Sequence, residues 1–394
     1  MSRLPGWAWW LIGLAVAAGL AAGIVVVLAR TAWGQERVLD QTIRFAGRQL
    51  QGTLAIERIS GNLLTGAQIY NVSLHGFDGE PLLVADSGYV DYNLRTLLGN
   101  RTVIDYVVLH NPRLRIRRMP GDSLWNFQEI LRDTTDRGPS ERTTVLSRIA
   151  FRNANVTVIS PWEPDGELRG AARRSAIREA VDATVRLMVD SVPGGFVRTS
   201  HFRQMDGELV DLVLGPEAGG GTYLRIRRIR GLAYVYRDPV RIRQARGEVA
   251  IRDGRTEVRA DTVLLPASRL TGYGVVHPGD TLRYDFVFQA DTAASRDFQW
   301  LYPNFPERGG GTLRLKFETR PDGTLIHVTD ARLSAPGTRV RGNFGVLLGD
   351  TVRFFDVGLT AEPLDVRTVE QMLPTALPVR GLRIGAVEIR NPTP

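Results

Sequence analysis

Hydrophobic residues follow two different patterns along this chain, and the change between them falls near residue 52. Residues Trp7 to Ala29 contain no charged or strongly polar side chain. As a helix, that run would span roughly 35 Å at about 1.5 Å per residue, which matches the hydrocarbon core of a bilayer with slight tilt. Trp7, Trp9, Trp10 and Leu11 stand at one end, Ile24, Val25 and Leu28 at the other, and Trp33 just beyond. Tryptophans belong at the two membrane interfaces, so the pattern predicts a transmembrane helix over 7–29 with a six-residue leader. The run exceeds the hydrophobic region of a signal peptide, and Arg30 stands where small residues should mark cleavage; an uncleaved anchor is expected. Residues 30–52 predict a juxtamembrane helix ended by Gly52.

From Thr53 the period becomes two. Leu54–Ile59, Gln68–Leu74, Leu82–Tyr92, Val103–Leu109 and Leu114–Arg117 read as strands. Turn residues cluster between them at Gly61-Asn62, Asp78-Gly79, Gly99-Asn100, Asn111-Pro112 and Pro120-Gly121-Asp122. The alternation is clearest further on, in Leu224-Arg225-Ile226-Arg227, Val240-Arg241-Ile242-Arg243, Leu282-Arg283-Tyr284-Asp285-Phe286 and Leu313-Arg314-Leu315-Lys316-Phe317. Side chains two apart in a strand share a face. These runs therefore predict a sheet with one apolar and one charged face. The candidate apolar face comprises Leu224, Ile226, Val240, Ile242, Leu282, Tyr284, Phe286, Leu313, Leu315 and Phe317.

Helical spacing is scarce. It predicts a helix over Arg169–Val189 and short helices over Trp125–Leu131, Arg296–Tyr302 and Leu364–Leu373, with a polar loop over Thr134–Thr144. The expected organisation is a β region at 53–133, a loop and helical insertion at 134–200, and a repeat-like β region at 201–394. The fold class is mainly β: an elongated, curled antiparallel sheet behind the anchor. A closed sandwich would use the same alternation. Gly219-Gly220-Gly221-Thr222 and Gly309-Gly310-Gly311-Thr312 each precede an alternating strand, as a repeated hairpin unit or as a phosphate-cradling nest. Neither run has the lysine or the helix of a P-loop.

Composition narrows the chemistry. The 394 residues carry a net charge of +8 and no cysteine, which excludes disulfides and cysteine-bound zinc. Lys316 is the only lysine, so the basic charge is arginine. Arginine forks suit phosphate, in nucleic acid or lipid headgroups, although a solvated sheet face also accounts for them. No nucleic-acid motif accompanies them. His75, His110, His201, His277 and His327 are never at metal-ligand spacing, and no Gly-x-Ser-x-Gly elbow occurs. Asp253, Asp261, Asp280, Asp322 and Asp350 sit beside Gly or Thr, as turn formers do. No catalytic residue, cofactor site or metal site is predicted, and the chain is not expected to be an enzyme.

One stretch resembles a known family. Gly61, Leu63 and Gly66 form a Gly-x-Leu-x-x-Gly turn. Asn71-Val72-Ser73-Leu74 and Gly79-Glu80-Pro81-Leu82-Leu83 follow, then Tyr92, Leu94, Leu97 and Leu98, then Leu109, Pro112, Leu114, Ile116, Arg118, Trp125, Asn126 and Phe127. In this order, behind an N-terminal anchor, Ile56 to Phe127 resembles the N-terminal region of the AsmA-like/TamB family of Gram-negative envelope proteins. Leu359 to Ile389 looks like a recurring segment of the same family. The resemblance implies an inner-membrane anchor, a periplasmic body and an apolar β-groove. Its implied role is phospholipid transport between the two membranes or outer-membrane biogenesis, with phospholipid acyl chains as ligand. The alternative it leaves is a scaffold docking an outer-membrane β-barrel partner. The charges around the anchor do not themselves set its orientation, since long domains translocate regardless of them.

Overall fold

The computed structural model describes residues 52–60, 66–76, 78–92, 101–130, 143–164, 168–182, 188–214, 222–234, 238–252, 255–277, 283–300, 303–320, 323–348, 352–372 and 383–390. The predicted anchor and juxtamembrane helix, including Trp7, Trp9, Trp10, Leu11, Ile24, Val25, Leu28 and Trp33, lie outside them. Among the described residues no helix is long and apolar enough to cross a membrane. Strands take up 73% of these residues, so the chain is mainly β. The described residues fall into two compact units: an N-terminal unit of residues up to Pro239 with Ala250–Asp253, and a C-terminal unit of Val240–Val249 and Gly254–Pro394.

In the N-terminal unit, β1 (Thr53–Ser60), β2 (Gly66–His75) and β3 (Pro81–Tyr92) form an antiparallel meander. Next come β4 (Arg101–His110) and β5 (Arg113–Arg117), both antiparallel to β3. Both also run parallel to the long β6 (Thr143–Trp162). Two expectations are corrected here. Asn111-Pro112 is not a reversal: β4 and β5 continue in one line, and Asn111 takes φ 51° between them. Nor is the sheet wholly antiparallel, because the chain leaves β5 through α1 (Asn126–Ile130) before it enters β6. The predicted insertion at 134–200 contributes this central strand.

β6 pairs with β8 (Gly195–Leu214), which is flanked by β7 (Val189–Val192) and β9 (Thr222–Tyr234). β6 and β8 are each 20 residues long. The helix predicted to Val189 is α2 (Gly170–Val181), and Val189 already belongs to β7.

One face of this sheet is a packed core. Ile69, Ile104, Ile116, Leu146, Ile149 and Leu209 are all under 3% exposed. Trp125 and Phe127 are buried beside it, and Asn126 fixes α1 on the sheet: its Oδ1 accepts the Arg117 N–H at 3.0 Å and its Nδ2 donates to the Arg115 carbonyl at 2.8 Å. Gly207 is required here, because a Cβ would meet the Phe151 ring at 2.0 Å. The opposite face carries a transverse polar row from strand to strand. Asn71 donates to Glu57, Asn111 to Asp86 at 2.8 Å, and Asn153 to Asn111 at 2.8 Å. The Asn153 N–H donates to Asp206 at 2.9 Å, and Arg230 donates to the same carboxylate at 2.7 Å. Asn71, Asn111 and Asn153 all have φ near +50°, a conformation asparagine tolerates better than other residues with a Cβ. The row thus coincides with a line of local backbone distortions.

The C-terminal unit holds the Val240–Val249 part of β10 (Val240–Arg252) and a meander of β11 (Arg255–Leu264), β12 (Arg269–His277), β13 (Arg283–Ala294), β14 (Gly310–Arg320), β15 (Gly323–Ala335), β16 (Thr338–Leu348) and β17 (Val352–Ala361). From β11 to β17 each strand pairs antiparallel with the next. β18 (Leu364–Asp365) pairs with β19 (Arg383–Ile384), α3 covers Val366–Met372, and β20 (Val387–Arg390) adds to β17.

Every pairing from β11 to β17 has a register shift, and Asp261, Asp291, Asp330 and Asp356 stand at four of them. A bulge bends its strand and increases its twist. Asp261 is therefore a mid-strand bulge residue, not the turn former expected; Asp253, Asp280, Asp322 and Asp350 lie outside the described residues. A short 3-10 turn at Ser295–Phe298 stands where a helix was expected over Arg296–Tyr302. Its buried Asp297 accepts from the Ala267 N–H at 2.8 Å and Ser268 Oγ at 2.7 Å.

Candidate apolar lipid-binding face

The register of β12–β17 decides which side chains share a face. Phe286 lies opposite Phe317, and Phe288 opposite Leu315. Phe317 lies opposite Ile326, and Leu315 opposite Val328. Ile326 and Val328 lie opposite Val346 and Phe344, and Val346 opposite Phe354. On the β12 side, Tyr284 opposes Val276. Directly opposed residues point the same way, so these side chains form one continuous apolar band across six strands. At about 4.8 Å per strand the band is roughly 24 Å wide.

The rings are in mutual contact. Phe286 and Phe288 are stacked, with centroids 5.7 Å apart and planes 10° apart. Tyr284 lies 6.3 Å from Phe286 and 6.2 Å from Phe317. Two glycines of β12 let these rings lie against the backbone: a Cβ on Gly274 would meet Phe286 at 2.0 Å, and one on Gly272 would meet Phe288 at 2.7 Å.

Burial separates this face from that of the N-terminal unit. Tyr284, Phe286, Phe288, Leu315, Phe317, Ile326, Phe344 and Val346 are half-buried, Phe354 is 68% exposed, and Val276 and Val328 of the same band are buried. These strands make their main contacts with their sheet neighbours, while α3 docks on β18 and the 3-10 turn on β13. A contiguous apolar patch of this kind is uncommon on a monomer unless something binds there. Across the sheet, the other face is mixed: it carries the buried Leu325 and Leu347 and the ring of Phe355, together with Lys316 and Arg320, which donate to Glu318 at 2.9 and 3.1 Å. Arg320, then Lys316, hold the Glu318 carboxyl below its ordinary range, and Glu318 in turn raises the Lys316 ammonium.

Of the predicted apolar residues, the structure brings Tyr284, Phe286, Leu313, Leu315 and Phe317 together in neighbouring strands. Val240 and Ile242 are half-buried in β10 of the same unit. Leu224 and Ile226 belong to β9 of the N-terminal unit, where Leu224 is 2% exposed. Leu282 lies outside the described residues. Sequence reasoning missed Phe288, Ile326, Val328, Phe344, Val346 and Phe354. An alternating signal was present in Ile326-His327-Val328 and Phe344-Gly345-Val346.

The triple glycine at 309–311 serves the sheet. Gly310 and Gly311 open β14, and Cβ atoms there would meet backbone carbonyls of neighbouring strands at 2.1 and 1.8 Å. The corresponding run at 219–221 is outside the described residues. Described histidines make local contacts: His75 with the Gly79 carbonyl at 2.9 Å, His201 with Thr157 at 3.1 Å and His327 with Asp356 at 2.7 Å. No cluster of three or more His, Asp or Glu that could hold a metal occurs among the described residues.

No family model, curated protein or solved structure matches the chain.

Proposed function

We propose that this chain is a membrane-anchored envelope protein whose C-terminal unit holds phospholipid acyl chains on the apolar face of β12–β17. The observation that carries the reading is the half-buried aromatic and aliphatic band itself. An amphipathic sheet must cover its apolar face with protein or with something else. Acyl chains are a suitable cover because the band offers hydrocarbon contact with no charged side chain among its paired residues. The uncharged run at 7–29 supplies the tether in this reading. The resemblance to the AsmA-like/TamB family supplies the setting: an inner-membrane anchor, a periplasmic body and lipid transport or outer-membrane biogenesis, without catalysis. Lipid extraction and mass spectrometry of the purified full chain test the reading. Phospholipid retained through delipidating washes is expected; protein that is consistently empty overturns it.

A second reading has its own observation. Phe354 of β17 and Ile389 of β20 are 68% and 53% exposed at the end of the sheet. Such an end suits strand addition by an outer-membrane β-barrel partner, with the protein acting as an assembly scaffold. Co-purification of such a partner with lipid-free protein would favour it.

A further inference from the structure

The charge of this chain is unevenly placed. Between Thr222 and Arg246 there are eight arginines (225, 227, 228, 230, 237, 241, 243 and 246) and one acid, Asp238, so this stretch carries +7 of the chain's net +8. The lipid-binding reading makes no use of it. In β9 the four arginines are all exposed, on the strand whose apolar residues Leu224 and Ile229 are buried.

Carboxylates of β8 lie beside three of these guanidinium groups: Asp206 at Arg230, Glu208 at Arg227, and Asp211 3.8 Å from Arg225. Glu208 of β8 is largely buried, and Arg148 Nε of β6 and Arg227 Nη1 both donate to its Oε1, at 3.0 and 2.9 Å. A register shift in β9 separates the Glu208–Arg228 pair from the Leu209–Ile226 pair, which makes Arg227 the extra residue. Both Arg227 and Arg228 thereby lie beside Glu208. Arg230 donates twice to Asp206, at 3.0 and 2.7 Å. Each guanidinium has five N–H donors, so one carboxylate fixes its plane without consuming its donors. Among the described residues of β6, β8 and β9, six of the arginines, Arg148, Arg152, Arg225, Arg227, Arg228 and Arg230, stand against the three acids Asp206, Glu208 and Asp211, an excess of three positive charges.

We infer that the outer face of β6, β8 and β9 is a docking surface for an anionic bilayer, with guanidinium groups taking lipid phosphates. The inference rests on the membrane-tethered reading, which keeps the chain beside a bilayer. It is independent of the apolar face of the other unit. Charge complementarity identifies the occupant: oriented forks on a sheet strand suit a plane of phosphate groups. Each basic residue close to an anionic surface contributes about a fivefold gain in binding.

The test uses the full chain in neutral phosphatidylcholine nanodiscs, mixed with phosphatidylglycerol vesicles and read by co-flotation. Wild type is expected to float with anionic vesicles, not with phosphatidylcholine ones, and to release as salt rises. The double variant R225Q/R228Q is expected to bind about 25-fold more weakly, and R225K/R228K, which keeps the charge and loses the forks, to fall between it and wild type. The variant R174Q/R178Q removes the same charge from α2 and is expected to bind like wild type. Equal loss in both Gln variants, or none in R225Q/R228Q, overturns the inference. So does displacement of the vesicles by equimolar single-stranded RNA, which would make nucleic acid the occupant. Retained acyl chains in R225Q/R228Q keep a failure here distinct from a failure of the lipid-binding reading.

Discussion

Replacing Phe317 with alanine separates an open apolar face from a closed core. Phe317 is half-buried between Phe286 and Ile326, with Tyr284 6.2 Å away. On an open face its removal leaves no enclosed cavity, so only the transfer and ring-contact contributions are lost, about 1–2 kcal/mol for a partly buried ring. Phe151 in the N-terminal unit is the internal reference. It is 2% exposed and covers Gly207, so Phe151→Ala adds a cavity and should cost about 3–5 kcal/mol. Hydrogen exchange of the full chain, read separately for β13–β15 and for β6–β8, reports both costs in one molecule. The expected outcome is a loss at Phe317 at least about 1 kcal/mol smaller than that at Phe151. If the two losses are equal, the face of β12–β17 is a sealed core, and the case for a ligand there collapses.

Gly207→Ala drives a Cβ into the Phe151 ring and should destabilise the N-terminal unit by about 1–3 kcal/mol, whereas Gly358→Ala, with nothing within 4 Å of its Cβ, should be near neutral in the same urea titration. Asp297→Ala leaves the Ala267 N–H and the Ser268 hydroxyl without their acceptor and should cost about 1–3 kcal/mol, read as faster exchange around residues 265–298. Burial works to raise the Asp206 carboxyl, but the Asn153 N–H and Arg230 outweigh it and hold it below its ordinary value. Its contribution to stability is thus present above the unfolded carboxylate range and is lost as pH falls through the lower folded value. Urea midpoints below about pH 4 should therefore fall more steeply in wild type than in Asp206→Asn.

The strands were legible because alternation survives tertiary packing. Leu54-Ala55-Ile56 and Leu313-Arg314-Leu315 both read as amphipathic strands, and both are. Their difference was not legible: Leu54 and Ile56 are buried while Leu313 and Leu315 are half-buried, because burial depends on what covers the face. The same limit hid the membership of the apolar band. Phe354 stands beside Phe355, which blurs the period of two, and only the pairing with Val346 places it. Asn111-Pro112 carries the letters of a turn, yet its left-handed asparagine serves a line of distortions that neighbouring strands share. Asp261 misled for the same reason, since bulges and turns draw on similar residues. The parallel entry of β6 has no local signature at all.

The central claim is that acyl chains lie on the apolar face of β12–β17. A photoreactive benzoylphenylalanine placed singly at Phe317, Phe344 or Tyr273 in the full chain, irradiated in phospholipid bilayers, tests it directly. Tyr273 is 62% exposed and opposes Val287, on the other face of the same sheet. The account predicts phospholipid adducts at 317 and 344 and none at 273; adducts absent from 317 and 344, or equal at all three positions, would contradict it.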